Sequence, residues 1–228
     1  KLRTKMREKD PDSQGYIFSF LRSISSKNSY RKLIANYYFI YSALEEALEN
    51  HREHPVIAKI YFPELCRVKS LIQDLTYYYG PEWQEQVVPS EATQIYVDRI
   101  REVSKTEPEL LVAYSYGHYM SDLSGGQILK DIAQMSMNLE DGNGLAFYNF
   151  ESINDVLAFK VVYRQCLNDI SVSEEIAERI LDETTAAFAR FLNVHHASEG
   201  SLIKAMIQLF LNRMLRTNRA ILFEHRKA

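Results

Sequence analysis

Residues 113–134 read AYSYGHYMSDLSGGQILKDIAQ, and this stretch decides the fold. Apolar positions recur at spacings of three and four on both sides of it, the pattern of a helix with one buried face. Yet Gly117, Gly125 and Gly126 sit in its interior. Each costs about 1 kcal/mol relative to alanine, roughly 2–3 kcal/mol for the set. A helix tolerates that where a kink or a close approach to its backbone repays it. Gly117, Ser121 and Gly125 fall at i, i+4 and i+8, which predicts a face poor in side chains. Asp122 lies one position round from Ser121 and four before Gly126, so it can point towards the same space. A bare face lets a flat ligand, or another helix, reach the backbone, and a carboxylate beside it can anchor water.

Working outward, the same periodicity covers 33–48, 95–103, 110–120, 156–167, 176–191 and 202–222. No two alternating segments are joined by Asn-Gly or Asp-Gly at hairpin spacing, so strands are not expected. Pro55, Pro63, Gly80-Pro81, Pro89, Pro108, Gly142-Asn143-Gly144 and Gly200 place the turns. Ser90 ahead of Glu91 and Ser173 ahead of Glu174-Glu175 mark helix starts. The expectation is one all-α domain over residues 1–228, with seven or eight helices and the helix over 113–134 kinked at its glycines.

Composition narrows the function classes. The chain has 228 residues, 46% hydrophobic and 25% charged, with a formal net charge of -3. Those values exclude a disordered tail or a fibrous repeat and carry no strong electrostatic footprint for nucleic acid. No run of about 18 apolar residues occurs, so no membrane span is expected. The opening KLRTKMREKD contains no apolar signal region. Two cysteines, Cys66 and Cys166, are too few for a disulfide framework and favour a reducing, intracellular setting. All six histidines lie at position 51 or later. His51 and His54, in ENHREH, are read as an exposed helix end, and the adjacent His195 and His196 point to different helix faces. Neither pair predicts a metal centre.

The segment YGHYMSDLSGGQILK resembles the signature of the heme oxygenases, whose distal helix reads approximately Y-x-R-Y-L-G-D-L-S-G-G-Q-x-L-K. Further blocks are similar in the same order: SYRKLIANYYFIYSALEEALE, YFPEL, DLTYYYGPEWQE, YVDRI, TEPELLVAYSY and AFKVVYRQCLN. The likeness is to cyanobacterial, plastid and animal members. It implies an all-α fold that holds heme between a proximal and a distal helix. It also implies oxidative cleavage of heme to biliverdin, iron and carbon monoxide, with electrons from ferredoxin or a reductase. Asp122 matches the aspartate that organises the distal water network, Gly125 and Gly126 match the flexible glycines, and Tyr41 matches a tyrosine of that network. Tyr116, Lys160 and Arg164 match residues that hold the propionates, and Arg3 matches a basic one near the amino terminus. Lys160 and Arg164 stand at i, i+4, so both can reach one edge of a dianion.

The chain departs from that pattern in two places that bear on chemistry. The family's proximal ligand is a histidine in a pattern like L-R-x-G-T-x-x-x-H-x-x-A-E. Here LRTKMREKDPDSQGYIFSFL puts Asp10 at that position when aligned from Leu2-Arg3, and Glu8 when aligned back from Gly15. Ser121 stands where the family has its distal glycine, so a hydroxymethyl would crowd a small ligand on iron. His118 replaces an arginine and is expected to be able to pair with Asp122, while Phe191 stands where many members have asparagine. A carboxylate from Glu8 or Asp10 is a hard donor and a poor mimic of neutral imidazole. The expected function is a non-catalytic or catalytically impaired relative that binds a tetrapyrrole or a protein partner. The alternative is an active heme oxygenase with unusual axial ligation. A non-heme iron oxygenase would need inward Glu, Asp and His ligands, and no convincing set is found. A cyanobacterial cytoplasm or plastid stroma is the expected setting.

Overall fold

A computed structural model describes Leu2, Lys5, Met6, residues 20–139 and residues 142–196. Among these residues the architecture is all-α, with seven α-helices, short 3-10 turns and no strand. Helix α1 spans Lys27–Asn50, α2 Val68–Tyr79, α3 Glu91–Thr106 and α4 Leu111–Ser115. A π-helical turn, Tyr116–Met120, joins α4 to α5, Ser121–Met137, and α6 (Val156–Asn168) and α7 (Glu174–His196) follow. The periodic segment 202–222 lies outside the described residues.

Local chemistry explains the ends. The Ser26 hydroxyl accepts from Ser29 N at 3.0 Å to start α1, and Ser90 accepts from Thr93 N at 3.2 Å to start α3. Asp155 does the same for α6, accepting from Ala158 N at 2.9 Å. Helix α2 stops at Gly80, whose φ of 88° suits glycine, and Pro81 follows. The turn that leads back from α5 needs glycine at 144. Its φ is 78°, and a Cβ there would lie 2.6 Å from the Tyr78 hydroxyl.

Helix α1 buries Leu33, Ile34, Tyr37, Ile40, Tyr41, Leu44 and Leu48 and packs against α2 and α3. Helix α7 packs on α3 and α4. A buried charge cluster fixes that second contact. Glu183 accepts from Arg99 Nη2 at 2.6 Å, Arg190 Nη1 at 3.1 Å and the Tyr114 hydroxyl at 2.5 Å. With Arg99 Nε at 3.2 Å as well, four donors from three residues satisfy a carboxylate that is only 6% exposed. These contacts set α1, the π turn and α5 around one space, where the candidate site lies.

The expected irregularity falls at one of the three interior glycines, Gly117, and not at the other two. The α-helical hydrogen-bond pattern runs unbroken through Gly125 and Gly126, and the irregularity is the π turn that contains Gly117. A π turn adds a residue to the helix and re-aims everything after it. Therefore Gly117 and Gly125 do not form one continuous bare stripe. Gly117 faces the Phe188 ring on α7 at 4.0 Å from an added Cβ, whereas among the described residues a Cβ at Gly125 would meet nothing within 4 Å.

Candidate functional site

Helix α1 and helix α5 meet at Tyr41 and Asp122. The Tyr41 hydroxyl donates to Asp122 Oδ2 at 2.6 Å across 81 positions of sequence. A short bond to an ionisable acceptor is a strong one. Burial pushes the Asp122 carboxyl up to about 7, against the opposing pull of the Tyr41 hydrogen bond and the Arg67 charge. A carboxyl poised near neutrality beside a phenol can hold or release a proton at physiological pH.

Three ionisable residues that sequence reasoning missed surround this pair. Glu45, one turn after Tyr41 on α1, accepts from the backbone N–H groups of Arg67 at 2.5 Å and Val68 at 3.2 Å. Burial pushes its carboxyl up to about 7 as well. Arg67 is 5% exposed, and its side chain bonds carbonyl oxygens of Leu65, Asn149 and Glu64 at 2.9, 2.6 and 3.2 Å. The hydroxyl of Tyr119, in the π turn, is buried and has no hydrogen-bond partner among the described residues. Such an atom commonly marks an ordered water. The spacing of Tyr41 and Glu45, i and i+4 on one face, was the signal available for Glu45. Nothing in the sequence flags Arg67, which enters from a loop.

His118 is placed differently from expectation. It does not pair with Asp122; its Nε2 lies 3.0 Å from the Tyr96 hydroxyl. The π turn directs the imidazole towards α3 and α7, where it packs edge-on against Phe191 at 4.7 Å between ring centroids. Burial pushes its pKa down to about 3, so it is neutral. His195 is buried nearby, its Nε2 2.9 Å from the Tyr37 hydroxyl, and it too is pushed down to about 3. His196 is exposed, as different helix faces require. Phe191 touches the rings of Tyr37, Tyr96, His118 and His195, and so packs α7 against α1, α3 and the π turn.

On the open side of α5, Ser121 is exposed, Gly125 is half-buried, and Ile128 is 64% exposed. Gly126 faces inward, where an added Cβ would stand 3.5 Å from the Tyr148 ring. The two adjacent glycines therefore divide the work: Gly126 seats a ring from the following turn, and Gly125 keeps the outer face bare. Tyr116 is buried at the head of the π turn. Lys160 and Arg164 are half-buried on α6, one turn apart, and burial together with Arg164 pulls the Lys160 pKa down. Two cations held close are eased by a dianion. Arg3, Glu8 and Asp10 lie outside the described residues. His51 bonds Ser104 Oγ at 3.1 Å and His54 faces Glu109 at 3.4 Å, so each is tied to a different partner. No cluster of three His, Cys, Asp or Glu residues suited to a metal ion occurs among the described residues. None of their helices is long and apolar enough to cross a membrane, and both cysteines are free.

Comparison with known proteins agrees with this geometry. The sequence pattern of the heme oxygenase family matches residues 1–197. The chain is 50% identical over 205 residues to heme oxygenase 1 of the cyanobacterium Nostoc sp., covering 90% of this chain and 86% of that protein. Its structure is similar to that of heme oxygenase-1 from the cyanobacterium Synechocystis sp. in complex with heme. The TM-score is 0.82 at 48% identity, over 93% of this chain and 99% of the other. A second similar structure is heme oxygenase-2 from Synechocystis sp. in complex with heme and NO. There the TM-score is 0.81 at 42% identity, over 86% and 84% of the two chains.

Proposed function

The chain belongs to the heme oxygenase family, and on that premise we propose that it binds heme, or a closely related tetrapyrrole, with its oxygenase turnover impaired. The observation that carries the binding half is the open face of α5. Among the described residues a Cβ at Gly125 would meet nothing within 4 Å, with Ser121 and Ile128 exposed beside it, so a flat ring can lie against the backbone. Lys160 and Arg164 would hold the propionates, whose charge would replace the repulsion between the two cations with attraction. The residues described on the distal side fit the group.

Bound heme supplies the iron and the macrocycle at which dioxygen chemistry takes place. The chain's own part is proton management and exclusion of bulk water. Tyr41 orients Asp122, and Asp122 holds an exchangeable proton at its carboxyl because its pKa stands near 7. His118 takes no part in this step, since its Nε2 is engaged by Tyr96. Phe191 and the rings around it line the region behind the π turn with aromatic surface.

Impairment rests on two residue identities. No histidine precedes His51 in this chain, and Glu8 or Asp10 stands where the family pattern places its proximal ligand. Ser121 adds a hydroxymethyl to the exposed face where the pattern has glycine. Both changes strike the chemistry and leave the fold intact, and function lives in the site. The intact Tyr41–Asp122 bond favours a second reading, an active enzyme with an oxygen ligand on iron. Supply of electrons by a ferredoxin-class protein and residence in a cyanobacterial cytoplasm or a plastid stroma belong to either reading.

The test is hemin titration followed by addition of reductant and dioxygen. Stoichiometric binding with a new Soret band and no biliverdin supports the proposal. Biliverdin at a rate comparable with a histidine-containing relative overturns the impairment. Absence of binding overturns the whole.

A further inference from the structure

The guanidinium of Arg67 is an unusual object in this fold: a buried cation that finds no carboxylate within salt-bridge distance among the described residues. Backbone oxygens hold it instead. Nε donates to Leu65 O at 2.9 Å, Nη2 to Glu64 O at 3.2 Å, and Nη1 to Asn149 O at 2.6 Å. The guanidinium carbon sits 3.8 Å over the Phe150 ring. Carbonyl dipoles solvate a charge without cancelling it, so its field acts on whatever ionisable groups stand nearby.

What stands nearby is the distal pair. Tyr41 and Glu45 come from α1, Asp122 from α5, Tyr119 and His118 from the π turn, and Cys66 from the loop before α2. The charge of Arg67 is felt most strongly at Asp122, then at Tyr41, Glu45 and Tyr119. The grip on the 146–150 turn is mechanical as well. Asp74 on α2 takes the N–H groups of Ala146 and Phe147 at 2.7 and 2.8 Å, while Arg67 takes the Asn149 carbonyl. One side chain holds the turn by its donors and the other by an acceptor. The turn so fixed presents Phe147 to the Tyr41 ring at 5.4 Å and Tyr148 to Gly126.

We propose that Arg67 is a positioning residue for the Tyr41–Asp122 pair, its guanidinium fork seating the turn on which Tyr41 rests and carrying a buried positive charge to the pair. Its functional meaning rests on the role given to Asp122 above, but its measurement does not require heme. The sign follows from electrostatics: a nearby cation favours the ionised carboxyl, so removing it favours the protonated one. Lysine keeps the charge and loses the fork; methionine keeps much of the volume and loses the charge.

The experiment is a pH titration of the full-length protein without added hemin, following the carboxyl C=O stretch assigned to Asp122 by its loss in D122N. We expect a midpoint near 7 in the wild type. In R67M it should rise by about one unit, and R67K should return it towards the wild-type value. An unchanged midpoint in a folded R67M protein overturns the proposal, as does failure of R67K to restore it. Should R67M not fold, the coupling is read from the other side. In an E45Q background, which removes the other carboxyl near 7, the Arg67 Nε resonance should then titrate with the Asp122 midpoint and lose that step when D122N is added, and a resonance flat across that range in E45Q overturns the proposal. Loss of hemin binding alongside an intact R67M shift would count against the function proposed for the site and leave this role standing.

Discussion

Tyr41 and Asp122, on helices far apart in sequence, share a 2.6 Å hydrogen bond at the inner edge of an open helix face. That bond lowers the Asp122 pKa against the larger upward push of burial. Replacing Tyr41 with phenylalanine removes the donor and leaves the carboxyl buried. The Asp122 midpoint should therefore move above 7, and stability should fall by about 1 kcal/mol. Infrared titration and urea unfolding of Y41F check the two effects separately.

Gly125 offers a trade between stability and binding. Because open space surrounds its would-be Cβ, G125A should stabilise the heme-free protein by about 0.5–1 kcal/mol through the helix term alone. If the face receives a flat ligand, the same methyl should weaken hemin binding. Thermal melts and Soret titrations of one variant give both numbers. Stabilisation without any loss of affinity would place the ligand elsewhere.

Ser121 should behave in the opposite sense. S121G introduces glycine at an exposed helix position and should cost about 1 kcal/mol in the heme-free protein. Its hemin affinity should rise as the face is cleared. A Tm series with and without hemin measures the crossover.

The raised pKa of Asp122 also predicts a direction of pH dependence. Between the ordinary carboxyl value of 3.8 and about 7, the folded state keeps a proton that the unfolded state has released. Stability contributed by this group is therefore greatest below 3.8 and declines as pH rises towards 7, by at most about 1.4 kcal/mol per unit. His118 and His195, pushed down to about 3, work the other way from about 3 to 6.5 and would mask it in the wild type alone. The difference between wild type and D122N isolates the carboxyl. Denaturant unfolding at pH 5 and pH 8 should show the wild type losing ground to D122N at the higher pH.

Much of this architecture was legible in the chain. The three-and-four spacing of apolar residues marked α1, α3, α6 and α7, and Ser90 capped where a cap was expected. The bare face around Gly125 and the Tyr41–Asp122 link followed from the residues once the resemblance was recognised. The π turn did not, because a single inserted residue leaves no mark on an apolar pattern that is already dense over 110–120. Its consequence was the misplaced His118, whose partner depends on the register that the turn changes. Arg67 and Asp74 were invisible for another reason. Their partners are backbone atoms of a distant turn, and backbone partners have no sequence signature.

The proposed function joins a retained distal half of a heme site to a proximal position that holds no histidine. A single-turnover assay of the hemin-loaded protein, with reductant and dioxygen, tests it most directly. The expected result is one hemin bound per chain and a spectrum that does not progress to biliverdin. Biliverdin appearing at the rate of a histidine-containing relative would contradict it.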